Sequence, residues 1–154
     1  MAHLIDTNVL LRRQQVTSVD YLAAVASVNQ LRLRRERLCV ARQNLIEFRN
    51  VASRPADRNG LGLSYTDADL ELDIAERDFD VLPEDDEVYN VWRALIAAKG
   101  VSGRQVHDAR LVAYMLVYSV THILTLNGSD LQRYTVLPPE IGVGIIVVSP
   151  NEVI

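Results

Sequence analysis

A chain of 154 residues and 17.3 kDa has room for one domain with one sizeable core. Its apolar content of 49% with ordinary charge is that of a globular protein, and no apolar run approaches the roughly 20 residues that cross a bilayer. The net charge of -4 argues against a uniformly basic nucleic-acid binder, yet the charge is unevenly spread. Eleven of the 20 acids fall between Asp67 and Glu87 with Arg77 as the only base there, so that stretch carries about -10 and the remainder about +6. All but one of the 16 basic residues are arginine, whose planar fork grips phosphate in two places at once. The opening MAHLID has no basic flank ahead of a long apolar region, so it does not read as a signal peptide and a cytoplasmic location is expected. Cys39, the only cysteine, lies in the apolar run LCVA without a disulfide partner and reads as a small buried hydrophobe.

The apolar pattern changes period several times along the chain, which predicts alternating strands and helices. Met1 to Asp6 reads as a strand ending on a carboxylate, with Thr7 and Asn8 beginning a helix behind it. Asp20 is placed to cap a helix that ends near Leu38, and its Arg32, Arg34, Arg35 and Arg37 read first as a solvated helix end. A second strand covers Leu38 to Ala41, and a helix from Arg42 to Ala52 sets Leu45, Phe48 and Ala52 on one face before Pro55 and Gly60 close it. NGLGLS reads as a flexible loop. The next helix is expected to start at Thr66, capped by its own hydroxyl, and Pro83 separates it from another between Glu84 and Ala98, ended by Gly100. Asp108 falls in the first turn of a helix through HDARLVAYMLVYSV, where the helix dipole favours an acid whether or not it does chemistry. Strands at Thr121–Leu126 and Val143–Ser149 complete the set, both continuous rather than alternating, as in strands covered on two faces. These elements predict an α/β fold, a three-layer α/β/α sandwich around a small, mostly parallel sheet, within one domain spanning residues 1–154.

Four acidic positions, Asp6, Glu47, Asp108 and Asp130, lie where apolar segments begin, end or turn. Each taken singly has an ordinary structural explanation as a cap or surface acid. Glu47 is the most telling, because it interrupts the apolar context NLIEF, where an unpaired charge is costly. Drawn together, the four form an all-oxygen pocket suited to magnesium or manganese, and the lack of a cysteine and histidine cluster argues against zinc. His107, beside Asp108, reads as a helix-start neighbour and is left out of the catalytic set.

Four stretches resemble the motifs of the PIN domain, and within it the VapC-like ribonuclease toxins of toxin-antitoxin pairs: LIDTNVLL, NLIEFRNVASRP, GRQVHDARLVAYML and TLNGSDLQRY. Together they cover essentially the whole chain in the family's order. The resemblance implies metal-dependent hydrolysis of RNA phosphodiester bonds, with Asp6, Glu47, Asp108 and Asp130 as catalytic residues and ligands of Mg2+ or Mn2+. It implies Thr7 and Asn8 as polar residues beside the metal. In many members an acid follows the fourth strand directly; here Asn127 stands in that place and Asp130, three residues on, is the available carboxylate. Asn127 would then give a neutral oxygen or orient a water. Arg49, Arg54 and Arg110 flank the motifs, to steer phosphate or to pair with the acids when RNA is absent. An antitoxin protein, an RNA substrate and a homodimer are the partners implied, and none involves a membrane. Two other readings stand beside this one. A PIN-like module could bind RNA or protein without cutting, because Asn127 weakens the metal site. A phosphatase could use Asp6 as nucleophile, although that class needs a second aspartate where Asn8 stands.

Overall fold

The computed structural model describes residues 1–154. Five parallel strands run in the order β3-β2-β1-β4-β5: β1 (Ala2–Ile5), β2 (Arg37–Ala41), β3 (Asp80–Leu82), β4 (His122–Leu124) and β5 (Ile146–Val148). The chain builds β1, β2 and β3 outward in one direction, then crosses back to lay β4 against the free side of β1, with His3 beside His122 and Ile5 beside Leu124. This reversal puts the topological switch point between β1 and β4, and open parallel sheets hold ligands beyond the carboxyl ends of their strands at such a point.

Seven helices cover the sheet: α1 (Thr7–Arg12), α2 (Tyr21–Leu33), α3 (Arg42–Ser53), α4 (Tyr65–Asp78), α5 (Asp86–Lys99), α6 (Gln105–Val117) and α7 (Pro150–Val153). Side chains alternate along each strand, so the sheet feeds two separate cores. Leu4, Cys39, Ala41 and Ile123 point into a layer with α5 and α6, where Leu95, Val112, Tyr114 and Met115 are fully enclosed. Ile5, Leu38, Val40 and Leu124 point the other way, onto Val9 of α1, Val28 of α2 and Phe48 of α3. The continuous apolar strands are thus explained by burial on both faces, and the expected three-layer sandwich is the one observed, with every strand pair parallel. No helix is long and apolar enough to cross a membrane.

Local chemistry moves several boundaries from their expected places. The helix expected from Thr66 starts at Tyr65, and its cap is the preceding Ser64, whose hydroxyl accepts the Asp67 amide at 3.1 Å. Asp20 precedes α2 without a side-chain cap bond, and α2 stops at Leu33, several residues before Leu38, because Arg35 takes a left-handed φ of 58°. Asp85 caps α5 through the Val88 amide at 3.0 Å, and Gly100 ends that helix at φ 60°. The NGLGLS segment is bonded backbone to backbone onto the end of α3, Leu61 to Val51 and Leu63 to Ala52, both at 3.0 Å. A Cβ on Gly60 would fall 1.9 Å from the Arg54 carbonyl oxygen, so this loop closes tightly rather than hanging free. Strand β3, a 3-10 segment over Gly128–Tyr134, and α7 had no counterpart in the sequence reading; strands β4 and β5 are each three residues, shorter than expected.

Candidate active site

Asp6 is the first residue past the central strand, and its backbone amide still bonds to the Leu124 carbonyl of β4 at 3.0 Å. It is the N-cap of α1: Oδ1 accepts the Thr7 amide at 2.7 Å, while Oδ2 accepts the Thr125 hydroxyl at 2.7 Å and the Asn8 amide nitrogen at 3.2 Å. The same Thr125 oxygen accepts from Asn8 at 3.2 Å and from the Asn127 amide at 3.0 Å. Asn8 also accepts the Leu126 amide at 3.1 Å. These bonds stitch the end of β1 to the end of β4 across the switch point and fix the Asp6 carboxylate there. They occupy Asn8 fully, leaving no second carboxylate beside Asp6 of the kind a phosphoaspartyl phosphatase requires.

Burial pushes the Asp6 carboxyl up from 3.8 to about 6; the Thr125 and Thr7 hydrogen bonds oppose this, and the nearby charges of Glu47 and Asp108 add to it. Asp108, at the start of α6, is also raised, by burial first and then by Asp130 and Glu47, with His107 and Arg133 acting in the other direction. Asp6, Glu47 and Asp108 are therefore within electrostatic reach of one another, and Asp130 within reach of Asp108. Glu47 sits one turn into α3 and is half-buried. Its Oε2 accepts the Thr7 hydroxyl at 2.9 Å and its Oε1 accepts from Gln43 at 3.1 Å. Asp130 is exposed and has no side-chain hydrogen bond; its link to the others is its charge on Asp108. No set of three or more histidine, cysteine or acidic side chains closes into a direct metal cage. As a donor set, the four carboxylates are all oxygen and two of them are held protonatable above the ordinary range. That combination fits a hard divalent cation that keeps several waters, and it does not fit zinc.

The other expected residues lie in varied surroundings. Asn127 is exposed; its backbone amide contacts Thr125, while its side chain has no hydrogen bond to protein. Arg110 points away from the acids: it pairs with Glu84, bonds to Gln43 Oε1 at 3.2 Å and lies 5.4 Å from the Tyr114 ring centre. Arg49 contacts Asp69 at 3.6 Å and covers the Tyr65 ring at 5.0 Å. Both guanidiniums are paired with acids outside the cleft. Three polar side chains went unnoticed in the sequence, Thr125, Gln43 and Asn44, all of them buried. Asn44 accepts the Ala41 amide at 2.9 Å and donates to Thr7 Oγ1 at 3.1 Å, so the Thr7 hydroxyl proton is left to point at Glu47. The one available signal was an uninterrupted polar pair, Gln43-Asn44, at the start of an otherwise amphipathic helix.

The fold and cleft together define a three-layer α/β protein with an acidic site at its topological switch point. The chain belongs to the PIN domain family, whose model matches residues 3–137. The fold is similar to that of VapBC-1 from nontypeable Haemophilus influenzae, at a TM-score of 0.66 and 17% identity, covering 98% of this chain and 99% of that one. It is also similar to VapBC2 from Rickettsia felis, whose structure is bound to a DNA fragment from the promoter, at 0.64 and 14% identity over 97% and 98% of the two chains. FitAcB from Neisseria gonorrhoeae matches at 0.59 and 17% identity over 96% and 97%. No curated protein shows significant sequence similarity to the chain.

Proposed function

We propose that this protein is a metal-dependent endoribonuclease, the toxin of a toxin-antitoxin pair, acting as one PIN domain in the cytoplasm. The observation that carries the reading is the meeting of Asp6, Glu47 and Asp108, from three separate elements, at the carboxyl edge of β1 and β4. Asp6, Glu47, Asp108 and Asp130 would hold Mg2+ or Mn2+, with water supplying the remaining oxygens. When bound, such an ion neutralises phosphate charge and provides a more acidic water as nucleophile. The chain's own part is to keep Asp6 aligned through Thr7, Asn8 and Thr125, and to keep Glu47 oriented through Thr7 and Gln43. Asp130, which is exposed, or Asp108, at the start of α6, would accept a proton from an attacking water. Asn127, exposed at the cleft rim, supports contact with substrate. The VapBC likenesses support an antitoxin partner, a homodimer is part of the same proposal, and a phosphate-gripping role for Arg49 requires that RNA displace Asp69.

The test is incubation of the pure protein with total cellular RNA, with and without Mg2+ or Mn2+, beside Asp6→Asn and Asp108→Asn. Metal-dependent cutting that both substitutions abolish is the expected result. A second reading, a PIN module that binds RNA or protein without cutting, is favoured by the open arrangement of the acids and by Asn127 in the fourth motif. Binding that persists without cleavage under every metal condition would establish it instead.

A further inference from the structure

Gln43 makes three hydrogen bonds beside the cleft, as many as Asp6, and they reach two different helices. Its Nε2 donates to Glu47 Oε1 at 3.1 Å and to the His107 carbonyl at 2.9 Å, and its Oε1 accepts from Arg110 at 3.2 Å. The orientation of this buried amide is forced. Rotated by half a turn, its oxygen would face two acceptors and its nitrogen would face a guanidinium. His107 directly precedes Asp108, so one amide group ties Glu47 on α3 to the residue that carries Asp108 into α6. Glu47 and Asp108 are like charges and repel, and every side-chain hydrogen bond between α3 and the start of α6 runs through Gln43. Behind Gln43, Arg110 is braced by Glu84, which also accepts the Tyr114 hydroxyl at 3.0 Å. Glu84 lies just after β3, so the brace runs from the sheet edge to the cleft.

We infer that Gln43 is a positioning residue that holds Glu47 and Asp108 at the separation a divalent cation needs, and that Arg110 and Glu84 form its strut rather than part of the RNA surface. The inference rests on the nuclease reading above and gives it a part that acts before any RNA is bound. Partners that orient metal-holding side chains are commonly worth 10–100-fold in metal affinity.

The experiment is titration of Mn2+ into the full chain without RNA, for wild type, Gln43→Met and Gln43→Glu, with the melting temperature of each metal-free protein measured alongside. Gln43→Met keeps the volume and removes both donors; Gln43→Glu keeps the Arg110 contact but turns an acceptor toward Glu47. Mn2+ affinity is expected to fall about 10–100-fold in Gln43→Met and at least as far in Gln43→Glu. In cleavage assays kcat should fall at saturating RNA while KM for RNA stays near the wild-type value, a split that general loosening of the fold does not produce. Should Gln43→Met fail to fold, Gln43→Glu alone decides. Wild-type Mn2+ affinity in a folded Gln43 variant overturns the positioning role and leaves the nuclease reading standing. Absence of Mn2+ binding by wild type overturns both.

Discussion

Replacing Asp6 by asparagine should stabilise the metal-free protein while removing its response to metal. Burial pushes this carboxyl from 3.8 up to about 6, so at pH 8 the folded chain carries a charge that the unfolded chain holds more easily. At about 1.4 kcal/mol per pH unit the full effect is roughly 3 kcal/mol, and because Asp6 is only half-buried by its own surface, roughly 1–2 kcal/mol is expected after solvent screening. The sign follows from proton binding. A raised folded pKa means that the native state holds its proton more tightly, so this group contributes no penalty below pH 4, a growing one between about pH 4 and 6, and a constant one above. Asparagine removes the charge and its oxygen can still accept from Thr7, but its amide meets the Asn8 amide nitrogen and a Thr125 oxygen that already accepts twice, so the gain is an upper limit. Thermal unfolding at pH 8 in chelator should then show the variant melting up to about 3–6 °C above wild type. Excess Mn2+ should raise the wild-type melting temperature, since ligand at a hundred times its Kd adds about 2.7 kcal/mol, and should leave the variant unmoved. A variant that melts below wild type in chelator, or that gains as much from Mn2+, would refute the argument that Asp6 is a strained charge awaiting a cation.

His3 titrates in the same window with the opposite sign. Burial and the His122 ring, 4.7 Å away between centroids, push it down to about 4, against the opposing pull of Glu36 and with smaller effects from the N-terminal amine and Arg34. Its contribution to stability is present above pH 6.5 and is lost as pH falls toward 4, so His3→Leu should flatten that loss, a change on the order of 2–3 kcal/mol in urea unfolding between pH 4 and 7. An unchanged pH profile would mean that His3 is hydrated in solution. Thr125→Val removes the hydroxyl donor to Asp6 and should move the acidic limb of the cleavage pH profile upward, because the bond it deletes holds the Asp6 pKa down; a limb that stays in place would separate Asp6 from the rate. Asn44→Leu strands the fully buried Ala41 amide and removes the donor to the Thr7 hydroxyl oxygen, and should cost about 2–3 kcal/mol by denaturant midpoint, with a loss under about 0.5 kcal/mol counting against that network.

What the sequence displays and what it hides divide along a physical line. Asp6, Glu47 and Asp108 were visible because each interrupts an apolar pattern or sits at a helix start, both properties of a few neighbouring residues. The Ser64 cap was missed by two residues and the stop of α2 at Leu33 by several, since a serine two places before a threonine and an arginine in a left-handed turn leave no periodic trace. Strand β3 hid for a related reason: three residues, Asp80 to Leu82, show no period, and only pairing with Cys39 to Ala41 makes them a strand. Thr125 and Gln43 were hidden more deeply, because their partners lie 119 residues and 64 residues away along the chain. Nothing near Gln43 in sequence announces that His107 will arrive beside it.

The same distinction bears on Arg110. A guanidinium between two acidic motifs invites assignment to the phosphate backbone, but that inference uses only neighbours along the chain. In the fold its charge is already committed to Glu84, which has Tyr114 as a second donor, and its Nη1 donates to Gln43. For RNA to recruit Arg110, it must break an ion pair and release the amide that orients Glu47, so a phosphate contact there would act against the geometry on which cleavage depends. On the nuclease reading, the positive potential that would draw RNA has to come from arginines without such commitments. Arg133, exposed in the 3-10 segment and close enough to Asp108 to lower its pKa, is one such arginine.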